Sequence, residues 1–172
     1  MTDRSAITDE EFNQRLMGSK PSVRAVALHL RLLGYEVTHN DPVKAVTYAE
    51  KGHEDVDIVA IWPPEGIERP IEVKGLRQNF TCRDDWRRDN GSRMYRIIVD
   101  EVEKFHEKQA RGATPWRYYL VSSNLTHAFV VDVEKTVELW VHQPLDDCTY
   151  KEKIPYYRVP IEDIQLVELR KF

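Results

Sequence analysis

Three residues of this sequence have types and spacing suited to chemistry: Asp57, Glu72 and Lys74. Asp57 lies in the run Val56 to Trp62, and Glu72 and Lys74 lie in the run Ile67 to Lys74. Between them stands Pro63-Pro64-Glu65-Gly66, a turn sequence, so the two runs read as the strands of a hairpin. If those four residues form the loop, Trp62 pairs with Ile67 and the numbers of every cross-strand pair total 129, which sets Asp57 opposite Glu72. Opposed residues share a face, with Cβ atoms about 4.5–5.5 Å apart. Lys74 emerges on that same face two residues further on, while Ile71 and Val73 point the other way, into a core. Two opposed carboxylates repel unless something compensates them, and a divalent cation does so. Mg²⁺ commonly takes one or two carboxylates together with waters and substrate phosphate. Such an ion lowers the pKa of a bound water and stabilises charge on a phosphodiester, and a neighbouring amine can orient the water or neutralise the phosphate.

Elements on both sides must hold these side chains in place. Thr8 and Glu11 have the spacing of a capping box, and Phe12, Arg15 and Leu16 continue a short helix that Gly18-Ser19-Lys20-Pro21 ends. A second helix is expected from Ser22 to Gly34, with Pro21 near its start and Val23, Val26, Ala27, Leu30 and Leu33 as its buried stripe. Tyr35 to Thr38 begins a strand, and the chain from there to Tyr48 reads as strand or irregular extended structure. After the hairpin, Gln78 to Gly91 is polar and reads as a loop. Ser92 to Arg111 is predicted to be the longest helix, with Tyr95, Ile98, Val99, Val102 and Phe105 on one side and Gly112 and Pro115 ending it. Trp116 to Val121 and Ala128 to Val133 read as strands, and the last third of the chain as short strands and turns. The simplest account is one mixed α/β domain over residues 1–172, α+β sandwich-like, with residues 1–18 as an N-terminal helical arm.

Composition narrows the class. A chain of 172 residues with 41% hydrophobic and 31% charged residues can bury an adequate core and is not of the disordered type. No apolar run approaches the roughly 18–20 residues of a membrane helix. The polar, acidic start resembles neither a signal nor a transit peptide, and Cys82 and Cys148 lie far apart, so reduced thiols in the cytoplasm are expected. The six histidines show no zinc spacing, although His53 lies nearest Asp57. A net charge of −4 argues against indiscriminate nucleic-acid binding. From Lys74 to Arg96, however, seven basic residues face three acidic ones, so this segment is +4 and the rest of the chain −8. Arg77, Arg83, Arg87, Arg88 and Arg93 are the candidate phosphate-gripping residues of an arm that closes over the site; the alternative is a solvated loop paired with its own aspartates. Trp86 in its middle either stacks on a base or pins the loop to the body, with pinning the favoured reading.

The pattern Asp57-Ile58-Val59-Ala60 followed by Glu72-Val73-Lys74 resembles the PD-(D/E)XK nuclease superfamily of restriction enzymes, Holliday-junction resolvases and repair nucleases. The resemblance spans roughly Val23 to Val133 and implies a restriction-endonuclease-like core, a central mixed β-sheet flanked by helices. It further implies Asp57, Glu72 and the Val73 carbonyl as ligands of Mg²⁺ (or Mn²⁺), Lys74 as the catalytic lysine, and Gln78 as a further polar site residue. Two positions depart from the pattern. Val56 stands where a proline is usual, and the first helix lacks the glutamate many members carry, leaving Glu10, Glu11 or Glu36 as the nearest substitutes. The function implied is a metal-dependent endonuclease acting on DNA, duplex or branched, with a homodimer plausible for cutting both strands. The second hypothesis is a catalytically inactive nuclease-like module that binds DNA or protein.

Overall fold

The computed structural model describes residues 9–39, 56–146 and 153–171. Helix α1 (Asp9–Leu32) is followed by strands β1 (Glu36–His39), β2 (Ile58–Ile61), β3 (Glu68–Gly75) and β4 (Arg96–Glu101), then helix α2 (Val102–Ala110). Strands β5 (Arg117–Val121) and β6 (His127–Asp132) precede the short helix α3 (Val133–Thr136), and β7 (Val141–Asp146), β8 (Lys153–Pro160) and β9 (Gln165–Glu168) complete the order. Among the described residues, six strands form a sheet in the order β1-β2-β3-β5-β6-β9, and three form a second sheet in the order β4-β8-β7. The β3–β5 pair is parallel and its neighbours antiparallel, so the central sheet is mixed. No helix among the described residues is long and apolar enough to cross a membrane.

Alternation along the central strands divides the core in two. Ile71, Val73, Tyr119, Val121, Ala128 and Val130 form one face and bury against Val23, Val26, Ala27 and Leu30 of α1. Tyr118, Leu120, Phe129 and Val131 form the other and meet Ile97, Val99, Phe105, Trp140 and Val159 from the second sheet and its helices. The molecule is therefore layered as helix, mixed sheet, then a smaller sheet with helices. By strand parity Glu72, paired with Tyr118, and Lys74, paired with Leu120, belong to the side covered by the second sheet.

The hairpin has the register that its turn dictates. Ile58 pairs with Ile71, Val59 with Pro70, Ala60 with Arg69 and Ile61 with Glu68, each pair totalling 129. The loop closes with Glu65 and Gly66 N–H groups donating to the Trp62 carbonyl, and Gly66 takes the positive φ of +67° that its missing Cβ permits.

Several expectations are corrected. Residues 9–32 form one continuous helix with Pro21 inside it, although Gly18 to Pro21 reads as the end of one helix and the start of another. A proline removes one backbone donor and strains one turn, while helix formers such as Glu10, Glu11, Gln14, Arg15 and Leu16 sustain the turns before it. Leu33, expected in the buried stripe, lies just past the helix and is exposed. The helix ends there in a glycine cap, with Gly34 at φ +98° and the Tyr35 N–H donating to the Leu30 carbonyl. The larger correction concerns Ser92 to Arg111. Arg96–Glu101 is strand β4, and the helix is only Val102–Ala110. Ile97 and Val99 alternate inward around exposed Ile98, and the β-branched run pairs with β8, Ile97 opposite Val159. The expectations for Thr8, Tyr48, His53 and Cys148 concern positions outside the described residues.

Candidate active site

Asp57 stands one residue before β2, and the hairpin register, carried one step further, sets it opposite Glu72. Where the β2 ladder stops, the Asp57 carboxylate replaces a backbone acceptor: Oδ2 takes the Val73 N–H at 2.8 Å. That bond pins the carboxylate against the strand that carries Glu72. The two acids are close enough that the Asp57 charge raises the proton affinity of Glu72.

The second sheet brings three further groups onto these. Asp100, at the end of β4 and almost fully buried, accepts from Lys74 Nζ at 2.8 Å through Oδ1. Its Oδ2 accepts from Lys108 Nζ at 2.8 Å and from the Tyr118 hydroxyl at 2.8 Å. Lys108, buried on α2, also lies 3.2 Å from Glu72 Oε1. Both lysine ammoniums sit over the Tyr118 ring, at 5.8 and 5.6 Å from its centroid. A β-bulge between Ile98 and Asp100 breaks the alternation of β4, so that Asp100 is buried directly after buried Val99.

The electrostatics follow from burial and crowding. Burial, then the Asp57 carboxylate, push the Glu72 pKa up to about 7, while Lys108 and Lys74 pull against them. Burial alone would raise Asp100, but the two ammoniums outweigh it and hold that carboxyl well below the usual range. Burial would lower Lys108, yet Glu72 and Asp100 keep it firmly protonated. Burial together with the charges of Asp100 and Glu72 keeps Tyr118 protonated as a donor. Glu72 is where the crowding of the carboxylates shows.

Asp57 and Glu72 thus offer two carboxylates from adjacent strands, a donor set that fits a hard divalent cation. Among the described residues no group of three or more His, Cys, Asp or Glu side chains could hold a metal ion, and both Asp100 oxygens are taken by its lysines.

The other predicted residues are distributed differently. The Gln78 carbonyl accepts from the Ser123 N–H, tying the chain after β3 to the β5–β6 turn. The arginine segment is an ordered loop. Asp85 accepts from the Thr81 and Cys82 N–H groups, and Arg83 donates to the carbonyls of Ile161 and Ile164. Arg87 donates to the Asp84 and Gly91 carbonyls, and Arg93 pairs with Asp84 and Glu162. Arg77 and Arg88 are exposed. Trp86 is 5% exposed, packs edge-on against Phe80 and Phe129, and donates from Nε1 to the Arg96 carbonyl, so it pins the loop. Glu36 is exposed on β1, the outer strand of its sheet among the described residues.

Asp100, Lys108 and Tyr118 are not among the residues expected from the sequence. A polar residue closing the β-branched run Ile97-Ile98-Val99 was the available signal for Asp100; Lys108 carried none. No family model matches the chain, and no curated protein or solved structure matches it either.

Proposed function

We propose that this chain is a divalent-metal-dependent nuclease that hydrolyses DNA phosphodiester bonds, with a restriction-endonuclease-like core of the PD-(D/E)XK kind. One observation carries the reading. Two carboxylates from adjacent strands converge with a lysine on one sheet face, close enough that the charge of Asp57 raises the proton affinity of Glu72. Asp57 and Glu72 would hold Mg²⁺ or Mn²⁺, with the Val73 carbonyl as the further ligand. The ion, when bound, supplies Lewis acidity toward water and phosphate oxygen.

The chain's own groups account for the rest. Asp100 holds the Lys74 ammonium on one side, while the lysine side chain keeps 31% of its surface open, enough to meet a phosphate oxygen or a water. There it neutralises charge as water attacks phosphorus and the ester P–O bond breaks. Tyr118 and Lys108 fix the second Asp100 oxygen, so Lys74 is aimed and not merely attracted.

The test is cleavage of plasmid and branched DNA with Mg²⁺ or Mn²⁺ by the wild type and by Asp57→Ala, Glu72→Ala and Lys74→Ala. Each variant is expected to lose about 10²–10³-fold or more in rate, the scale for removing one electrostatic stabiliser. Full cleavage by any of the three ends the assignment. Mn²⁺ should also raise the wild-type melting temperature and leave Asp57→Asn unmoved. A protein that binds DNA yet shows neither response is the inactive module.

A further inference from the structure

We propose that the outward face of the β4-β8-β7 sheet is a phosphate-binding surface, built by Arg88, Arg96 and Arg158, that grips the backbone of the nucleic acid. The polyanion's identity rests on the nuclease reading; the site itself rests on strand register and on three guanidiniums that no acid among the described residues neutralises.

The register places the three arginines together. Arg96 pairs with Pro160 and Ile98 with Arg158 across β4 and β8, so Arg96 and Arg158 are diagonal neighbours on one face. Such diagonals lie about 7–8 Å apart, within reach of two long side chains. Ile97, Val99 and Val159 turn to the core, which leaves this face outward. Arg88 comes to it from the loop that Trp86 fastens to the start of β4 through the Arg96 carbonyl. Burial, then Arg96 and Arg88, weaken the hold of Arg158 on its proton, and no acidic group offsets them. Among the described residues none of the three has a carboxylate at ion-pair distance; Asp84 and Glu162 are taken by Arg93. The Arg158 Nε is buried without a hydrogen-bond partner.

A chain of net charge −4 has acids to spare, yet among the described residues none lies at ion-pair distance from these three crowded guanidiniums. An anion relieves the repulsion, and a guanidinium fork suits phosphate. Exposed Ile98 and Val141 flank Arg158 on the two neighbouring strands and give apolar contact beside the charges. Arg96 lies four residues before Asp100 on the same strand, about 13 Å of chain.

The experiment is fluorescence anisotropy of a labelled 20-base-pair duplex in EDTA, as a function of salt. It compares the wild type, Arg158→Gln, the triple variant Arg88→Gln/Arg96→Gln/Arg158→Gln, and Lys135→Gln as an exposed control. The triple variant is expected to bind at least tenfold more weakly, with a salt slope shallower by about 2–3, and the control to match wild type. Its melting temperature should equal or exceed that of wild type, because like charges have been removed; an arginine with a structural role would lower it. If the triple variant does fail to fold, Arg88→Gln and Arg96→Gln, both exposed, carry the test through the slope alone. Unchanged affinity and slope overturn the proposal. So does a triple variant that loses self-association in sedimentation while keeping its DNA affinity, which assigns the face to a second copy. A wild type that never cleaves, but whose binding drops in the triple variant, removes the nuclease reading and leaves this surface standing. A cleaving wild type whose binding ignores the three arginines does the reverse.

Discussion

Alternate residues of β3 belong to two different kinds of structure. Ile71 and Val73 turn toward α1 and are buried among Val26, Ala27, Leu30 and Tyr119. Glu72 and Lys74 turn toward the second sheet and meet Asp100, Lys108 and Tyr118. The apolar side is held by area, so each substitution there costs in proportion to what is removed. The polar side is held by pairing, and removing one partner strands the charges that remain. It also crowds Glu72 against Asp57 in a buried place, so that its carboxyl holds a proton more tightly than usual. Local rules are broken in this way where a protein has a use for the strain.

The sharpest way to break that comparison is Asp100→Ala. This carboxylate is 1% exposed and accepts from Lys74, Lys108 and Tyr118. Without it, Lys108 stays buried with only Glu72 beside it, and Tyr118 loses its acceptor. The expected loss in urea unfolding at pH 7 is about 3–5 kcal/mol, with Asp100→Asn recovering part of it through the Tyr118 hydrogen bond. A loss no larger than that of a small core truncation would mean that pairing does not govern this face.

Titration of Glu72 separates the faces by sign. Its pKa rises from an ordinary 4.5 to about 7 on folding, so the folded state binds the proton more tightly. Its favourable contribution is therefore complete below about pH 4.5 and is lost as pH rises through 7. Glu72→Gln has no such dependence. In EDTA the variant should be more stable than wild type at pH 8, by about 1–3 kcal/mol after allowing for the 20% of the side chain that remains open. The advantage should vanish at pH 4. Asp100 runs the opposite way: its carboxyl is depressed, and its contribution, present above the ordinary aspartate range, is lost on acidification. A variant that is less stable than wild type at pH 8 would show that Glu72 is a satisfied ion-pair partner and not a charge in excess.

The site was half legible from the chain for a definite reason. The Pro63 to Gly66 turn and the flanking alternation fix a register within a few residues, so Asp57, Glu72 and Lys74 fall on one face by counting. Nothing local does that for Asp100. In Tyr95 to Phe105 the apolar residues satisfy the helical period, and the strand reading of Ile97 and Val99 gains only from Val159, sixty-two positions later. A non-local partner decided the element, and the helical reading hid Asp100. Lys108 sits on a helix whose placement depends on the same strand. The arginine loop was readable in composition but not in allegiance: Arg83 and Arg93 are drawn to Ile161, Glu162 and Ile164, far along the chain.

The smallest expected effect tests the apolar half of the comparison. Ile71 is fully buried among Val26, Ala60 and Tyr119, and it faces away from the reaction groups although Glu72 is its neighbour in sequence. Ile71→Val removes one methylene and should cost about 1 kcal/mol in urea unfolding, with no dependence on pH between 4 and 8. The Mn²⁺-induced rise in melting temperature should survive unchanged, since the carboxylates sit on the other side of the strand. The flat pH response is the informative part. If Ile71→Val weakened the metal response or acquired the pH dependence of Glu72, the two faces would be coupled through the strand backbone, most directly through the Val73 N–H that Asp57 holds at 2.8 Å. In that case β3 could no longer be treated as a rigid divider, and the orientation of the Asp57 carboxylate would depend on how well α1 packs behind it.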